Sequence, residues 1–401
     1  MPTYLFQLGH QPQISIAEIK AVLNAHGLIY GEEENLITYY KISMEVELPV
    51  AKIMSVLGGT VKILRLLKES ENLEEDIFHY LDSLPDDGKL NFSLGGPNAG
   101  RFAINIKKSL KESGKSVRYI EPKNTATILH NNLVESATDI TLIQKEIFIT
   151  EAIQPIEDFV ERDFGRPEAD GKSGMLPPKL AKIMINLAEP KADDVILDPF
   201  CGSGTILTEA LDMGFANLIA SDHSPKAIED SKKNTAWFLE KEKEKKQKNN
   251  VENVIARSEQ SERRGNPLVR GTNNVRFLQL DARELGKKIA AESVNRIISE
   301  PFLGKPLTGR ESRDRLEAEA EELRQLYIDS FRSFYKLLKP GGVIVFVIPR
   351  FRIGNDWVVI KCVNPIQKIG FKLLPFSPDN EPLIYSRPKQ FVAREIWRFG
   401  K

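Results

Sequence analysis

Cysteine is nearly missing from this chain: only Cys201 and Cys362 occur in 401 residues. Two thiols so far apart in sequence leave no disulfide framework and suit a reducing compartment, so a cytoplasmic protein is expected. Histidine is scarce too. His10, His26, His79, His130 and His223 never fall at metal-ligand spacing with one another or with a cysteine, so no metal site is assigned. No apolar run approaches the ~20 residues of a membrane span, and neither a signal peptide nor a membrane partner is expected. A charge excess is also absent: 56 basic against 56 acidic side chains give a formal net charge of zero. Any contact with nucleic acid therefore has to come from a local basic patch. What is present is 41% hydrophobic and 28% charged residues, ordinary for a soluble protein with real cores. The length exceeds what one core serves and predicts two or three domains, with a monomer as the default.

The first 70 residues read as a small α+β domain. It has a strand over 3–9, a helix over 15–23 with Ser15 as N-cap and Glu18 three places on, a strand over 36–42, a helix over 50–56 and a strand over 61–67. Residues 71–152 read as a second α+β unit, with strands over 90–94 and 140–148 and a basic helix over 104–113. Residues 153–190 form a connector rich in proline and charge, ending in a helix over 178–187 that Pro177-Pro178 introduces. From 191 to 401, short apolar strands alternate with longer helices, the signature of a doubly wound α/β sheet. Strands are expected at 194–198, 217–221, 275–280, 295–299, 342–348, 371–376 and 391–397, a methyltransferase-like set. The stretch 240–274 breaks this rhythm. Its Lys/Glu run has almost no apolar content to offset the entropy of ordering, so a disordered insertion is expected there.

The octet Asp198-Pro199-Phe200-Cys201-Gly202-Ser203-Gly204-Thr205 follows the apolar run Val195-Ile196-Leu197 and precedes a helix-like stretch over 206–213. Gly202 and Gly204 let the backbone turn tightly and approach a ligand, and the helix start behind them offers free N–H groups. A P-loop would need Lys-Ser/Thr after its last glycine, and a dinucleotide fingerprint needs a third glycine where Leu207 stands. A hydrolase elbow needs glycine where Cys201 stands, which removes Ser203 as a nucleophile. Cys201 has no base near it in sequence and reads as a small packed residue. What remains is a carboxylate, Asp198, at a strand tip beside a glycine turn, a receptor for the ammonium of a methionine-like moiety. S-adenosylmethionine fits. Asp222, with His223 beside it, ends the next strand about 20 residues on, where an acid accepts hydrogen bonds from ribose hydroxyls. Asp281, followed by Ala282, ends the third strand, placed to accept from an adenine amine. Both aspartates also read as helix caps.

The fourth strand ends in Ser299-Glu300-Pro301-Phe302. The lone pair of a nucleobase amine is delocalised into the ring. A site that methylates it should hold an acceptor against the N–H, aim the nitrogen at the methyl, and stack an aromatic on the base. Here Ser299 or Glu300 accepts, Pro301 stiffens the loop and Phe302 stacks; the bland alternative places Phe302 in the core. Lys107, Lys108, Lys111, Lys115 and Arg118 cluster on one helix and its exit, either as a phosphate-binding patch or as a solvated face.

The octet, together with Gly174-Met175-Leu176-Pro177-Pro178-Lys179-Leu180-Ala181, Arg162-Asp163-Phe164-Gly165-Arg166-Pro167 and the opening Tyr4-Leu5-Phe6-Gln7-Leu8-Gly9, resembles the THUMP-domain tRNA guanine-N2 methyltransferases that modify position 10. The resemblance implies a ferredoxin-like domain at 1–70, a THUMP domain at 71–152 that binds tRNA, and a Rossmann-like class I methyltransferase domain at 191–401. It implies that Asp198, Phe200, Gly202, Ser203, Gly204 and Thr205 hold the methionine part of the cofactor, Asp222 the ribose and Asp281 the adenine, with His223 and Ala282 beside them at the cofactor, and Ser299 to Phe302 the target base. One departure stands out: the family's fourth motif is typically Asp-Pro-Pro-Tyr, whereas Ser-Glu-Pro-Phe stands here. Methylation of a different base amine in rRNA or DNA, and a non-catalytic RNA-binding role, are the competing readings.

Overall fold

The computed structural model describes residues 1–85, 88–169, 175–256, 274–376, 379–388 and 390–401. It divides into two compact units, Met1–Pro155 and Ile156–Lys401.

The first unit opens with β1 (Thr3–Leu8), α1 (Pro12–Ala25), β2 (Tyr30–Asn35), β3 (Tyr39–Met44), α2 (Val50–Val56) and β4 (Thr60–Glu69). These strands pair antiparallel in the order β2-β3-β1-β4. Alternation along β1 sets the two faces: Tyr4, Phe6 and Leu8 pack with Ile19, Val22 and Leu23 of α1 and Ile53 and Met54 of α2, while Leu5 turns to Leu64 and Phe148 on the other side. The expected N-cap at Ser15 is a different device. The helix begins three residues earlier, at Pro12. Ser15 donates instead to the Gly59 carbonyl (2.7 Å), and the buried Glu18 carboxylate accepts the Gly58 and Gly59 amides (both 2.7 Å), so the pair clamps a turn distant in sequence.

The sheet continues without a break through α3 (Leu73–Asp82), β5 (Leu90–Gly95), α4 (Ala99–Glu112), β6 (Val117–Tyr119), α5 (Thr125–His130), β7 (Asp139–Ile143) and β8 (Glu146–Ile153). Its order is β4-β8-β7-β5-β6. The single strand expected over 140–148 is a hairpin: Gln144 takes a left-handed φ of 53° and reverses the chain between β7 and β8. No Gly or Asn marks that turn, so the apolar alternation runs through it. A buried ion pair, Lys62 Nζ to Asp139 Oδ2 at 2.6 Å, with Thr150 on the same oxygen (2.6 Å), ties β4, β7 and β8 together.

The second unit contains α6 (Ile156–Phe164), α7 (Pro178–Leu187), β9 (Ile196–Asp198), α8 (Thr205–Asp212), β10 (Asn217–Asp222), α9 (Pro225–Ala256), β11 (Asn274–Gln279) and a 3-10 turn over Ala282–Lys287. It continues with β12 (Val294–Ser299), α10 (Arg313–Leu337), β13 (Leu338–Ile353), β14 (Asp356–Val359), α11 (Val363–Ile369), β15 (Lys372–Leu373), β16 (Leu383–Tyr385) and β17 (Val392–Gly400). The sheet order is β11-β10-β9-β12-β13-β17-β15. The first five strands run parallel, and β17 inserts antiparallel against β13. The mixed α/β fold is as expected, with β14 and β16 added as short pairing partners of β13 and β17. Within the stretch read as a connector, α6 and α7 fall in this unit, and Arg162 of α6 grips Glu209 of α8 through two buried contacts (2.6 and 3.1 Å). Residues 240–256, expected in a disordered insertion, continue α9, while the remainder, 257–273, lies outside the described residues.

Candidate active site

The chain leaves β9 and returns to the sheet as β10 on one side, while β12 enters on the other, so β9 and β12 flank the point where strand order reverses. Ligands of open α/β sheets bind in the crevice beyond the strand ends at such a point. Asp198, Asp222 and Ser299 are the last residues of β9, β10 and β12.

Between β9 and α8 the glycine turn is held from both sides. The Gly202 amide donates to Asp222 Oδ2 (3.1 Å), and the Cys201 amide donates to the Ser221 carbonyl (2.9 Å). Gly202 takes φ +49°, and a Cβ built there meets nothing within 4 Å, so the space beside the turn is open. Gly204, at φ +86°, is needed for another reason: a Cβ would lie 2.5 Å from Ser231 Oγ of α9. Asn234, not singled out in the sequence, and Arg166 complete the frame. Asn234 of α9, fully buried, donates to the Ser203 carbonyl (2.8 Å) and exchanges hydrogen bonds with the Glu168 backbone. Arg166, also buried, donates to Thr205 Oγ1 at 2.7 Å. The stretch 162–167 was legible only through the family resemblance; within it Arg166 reaches the first residue of α8 and Arg162 reaches Glu209 of the same helix. Gly174 lies outside the described residues.

Asp198 is 3% exposed, and Ser299, completely buried, donates its hydroxyl to Asp198 Oδ1 at 2.6 Å. Burial, reinforced by the nearby Asp222 and Glu300 charges, pushes the Asp198 carboxyl up to about 7, against the opposing effects of the Ser299 and Phe200 hydrogen bonds. Asp222 accepts the Ser224 amide (2.9 Å) as well as Gly202, so it is both cap and brace, while His223 stands exposed with Nδ1 3.3 Å from Asp222 Oδ1. Asp281 takes up the cap reading. It caps the 3-10 turn through the Arg283 amide, and both its oxygens are taken by the Arg283 side chain (2.9 and 2.7 Å), which holds the carboxyl below its usual range. The Ala282 side chain is buried in the core, and Phe200 packs edge-on to Phe346. Burial raises the Cys201 thiol well above its ordinary value, which fits packing rather than nucleophilic chemistry.

At the fourth strand tip the two candidate acceptors separate. Glu300 is bound by Arg394 of β17 through Nε (2.6 Å) and Nη2 (3.0 Å), both side chains 9% exposed. Of the two, it is Ser299 that hydrogen-bonds Asp198. Pro301 is buried, and the Phe302 carbonyl accepts from Tyr327 (2.6 Å), which anchors the loop, while the Phe302 ring is 54% exposed. The core reading of Phe302 is thereby removed.

In the first unit, Lys108 and Lys111 are exposed on α4, with Lys107 half-buried and Arg118 exposed on β6. Lys115 differs: its ammonium donates to the Leu81 and Leu84 carbonyls (3.3 and 2.8 Å), closing the end of α3. Among the described residues no group of three or more His, Cys, Asp and Glu could hold a metal, and no helix is long and apolar enough to cross a membrane.

Residues 168–353 match the UPF0020 family, RMKL-like, methyltransferase domain. The chain is 26% identical over 178 residues to the tRNA (guanine(10)-N2)-dimethyltransferase of Methanothermobacter thermautotrophicus, a stretch covering 44% of this chain and 40% of that protein. It is 53% identical over 49 residues to the protein of the same name from Methanocaldococcus jannaschii, covering 12% and 14% respectively. These alignments thus span less than half of either relative. In fold the chain is similar to TrmN from Thermus thermophilus, at 17% identity and a TM-score of 0.52, over 100% of this chain and 99% of that one. The resemblance to tRNA guanine-N2 methyltransferases drawn from the sequence is borne out by these matches.

Proposed function

We propose that this chain is an enzyme that methylates the exocyclic N2 amine of a guanine in tRNA, at position 10, using S-adenosylmethionine. The observation that carries the reading is the meeting of Asp198, Asp222 and Ser299 at the reversal point of the sheet, around an open glycine turn. S-adenosylmethionine supplies the methyl group as a sulfonium. The residues fit it: Asp198 offers a carboxylate for the ammonium, the open space at Gly202 admits close approach, and Asp222 stands one strand over for the ribose hydroxyls. Asp281 reaches an adenine amine only by sharing its oxygens with Arg283.

Ser299 is the acceptor for the target amine and Phe302 the stacking partner of the flipped base, whose plane an exposed ring on an anchored loop can meet. The βαββαβ order of the first six elements, with strands arranged β2-β3-β1-β4, supports a ferredoxin-like reading of residues 1–70, and a THUMP-type role in holding tRNA belongs to 71–152. Lys107, Lys108, Lys111 and Arg118 contact its phosphates. The enzyme works as a cytoplasmic monomer. Incubation with labelled S-adenosylmethionine and tRNA lacking the modification, followed by digestion to nucleosides, tests the proposal. N2-methylated guanosine is expected; label on cytosine or adenine, or none despite cofactor binding, overturns it.

A further inference from the structure

We infer that the proton released by the target amine ends on Asp198, carried through the Ser299 hydroxyl, so that the neighbouring strand supplies the acid absent from position 299. The inference rests on the methyl-transfer reading above and adds the fate of the proton to it.

Three observations carry it. First, the Ser299 hydroxyl donates to Asp198 Oδ1 at 2.6 Å, from a completely buried side chain to one 3% exposed, so the hydrogen bond is shielded from water. A hydroxyl whose single proton is committed to a carboxylate faces a further partner with its lone pairs, and accepts an N–H there. Second, the alternative acid is occupied: Arg394 holds both Glu300 oxygens. Third, the groups facing Asp198 keep it receptive. Asp222 from β10 and Glu300 at the end of β12 oppose its ionisation, the Glu300 charge being offset by Arg394 of β17, and the Cys201 thiol on the same loop stays protonated. An acid so placed takes a proton more readily than a solvated carboxylate.

The step balances. The amine lone pair forms the new N–C bond as the methyl–sulfur bond breaks, with its electron pair left on sulfur. The N–H proton moves to Ser299 Oγ as the Ser299 proton moves to Asp198 Oδ1. The donor would lose its positive charge as the buried Asp198 carboxylate loses its negative one, and neutralising opposite charges favours the forward direction where water is excluded. Asp198 thus meets the target amine only through Ser299. Asp198 Oδ2, which takes no part in these contacts, remains for the cofactor ammonium.

The test uses full-length Ser299→Ala and Asp198→Asn, with single-turnover methyl transfer to tRNA at saturating S-adenosylmethionine from pH 5.5 to 9. Calorimetric binding of S-adenosylhomocysteine and thermal melting accompany it. In the wild-type protein the rate rises with pH as Asp198 ionises and then levels. Ser299→Ala is expected to melt as the wild type does, to bind S-adenosylhomocysteine within about threefold, and to lose about 10²–10⁴-fold in rate together with the rising limb. Asp198→Asn keeps the Ser299 hydrogen bond but cannot take the proton, so its limb is lost as well. A Ser299→Ala protein whose rate or limb is unchanged overturns the relay alone. A wild-type protein that methylates no guanine amine overturns the underlying reading and the relay with it.

Discussion

Arg394 grips both oxygens of Glu300, at 2.6 and 3.0 Å, and so occupies the carboxylate that stands next to Ser299 in sequence. The pair joins the end of β12 to β17 across β13. Breaking a buried pair strands one charge, so Arg394→Ala should cost about 3–5 kcal/mol of stability. Replacing both partners by apolar residues of similar size should cost far less. Urea unfolding of the single and double variants checks this; equal losses would mean that the pair contributes nothing as a pair.

The burial of Asp198 has a sign that melting can read. The unfolded carboxyl ionises near 3.8 and the folded one near 7, so between those values the folded state holds more protons. This group therefore costs stability progressively as pH rises from 4 to 7. Asp198→Asn should leave the ligand-free protein more stable at pH 8, by an amount of order 1–4 kcal/mol, since each tenfold change in acidity is worth about 1.4 kcal/mol, with little difference at pH 4. Glu209, raised by burial to about 6, adds a slope of the same sign that the variant retains. Identical pH–melting curves for variant and wild type would contradict the burial.

Phe302→Ala removes a ring that is 54% exposed, so folding stability should change by no more than about 0.5 kcal/mol. Loss of base stacking at about 1–3 kcal/mol should lower kcat/KM on tRNA by about 5- to 150-fold while cofactor affinity stays put. Calorimetry and steady-state kinetics separate the two; equal damage to both would return the ring to a packing role.

The basic helix divides along its own structure. Charge reversal at Lys107, Lys108 and Lys111 should weaken tRNA binding and flatten its dependence on salt, by about 0.7 in log–log slope for each phosphate that is no longer neutralised. Lys115→Ala should instead lower stability by about 1 kcal/mol, because its ammonium closes α3, and should leave the salt slope alone. Binding isotherms at several salt concentrations decide between these outcomes.

Short-range pattern was enough to read the strand, glycine turn and helix around Asp198, the helices over 50–56 and 178–187, and the doubly wound sheet. Each is written in the spacing of apolar residues, glycine and proline within a few positions. The ends of β9, β10 and β12 followed, because a residue at a strand tip in such a sheet is placed by its position alone. Which partner each side chain takes was not legible. Ser15 and Glu18 resembled a helix cap and clamp a turn some forty residues away; Asp281 read either as a ligand acceptor or as a cap, and it caps and is held by Arg283; Lys115 read as a phosphate contact or a solvated face, and its ammonium closes a helix. Local sequence determined where the polar groups stand along the backbone. The tertiary structure decided what they do, since a buried hydrogen bond or ion pair joins whichever groups the packed sheet brings within 3 Å, and Asp198 with Ser299 are 101 residues apart in the chain.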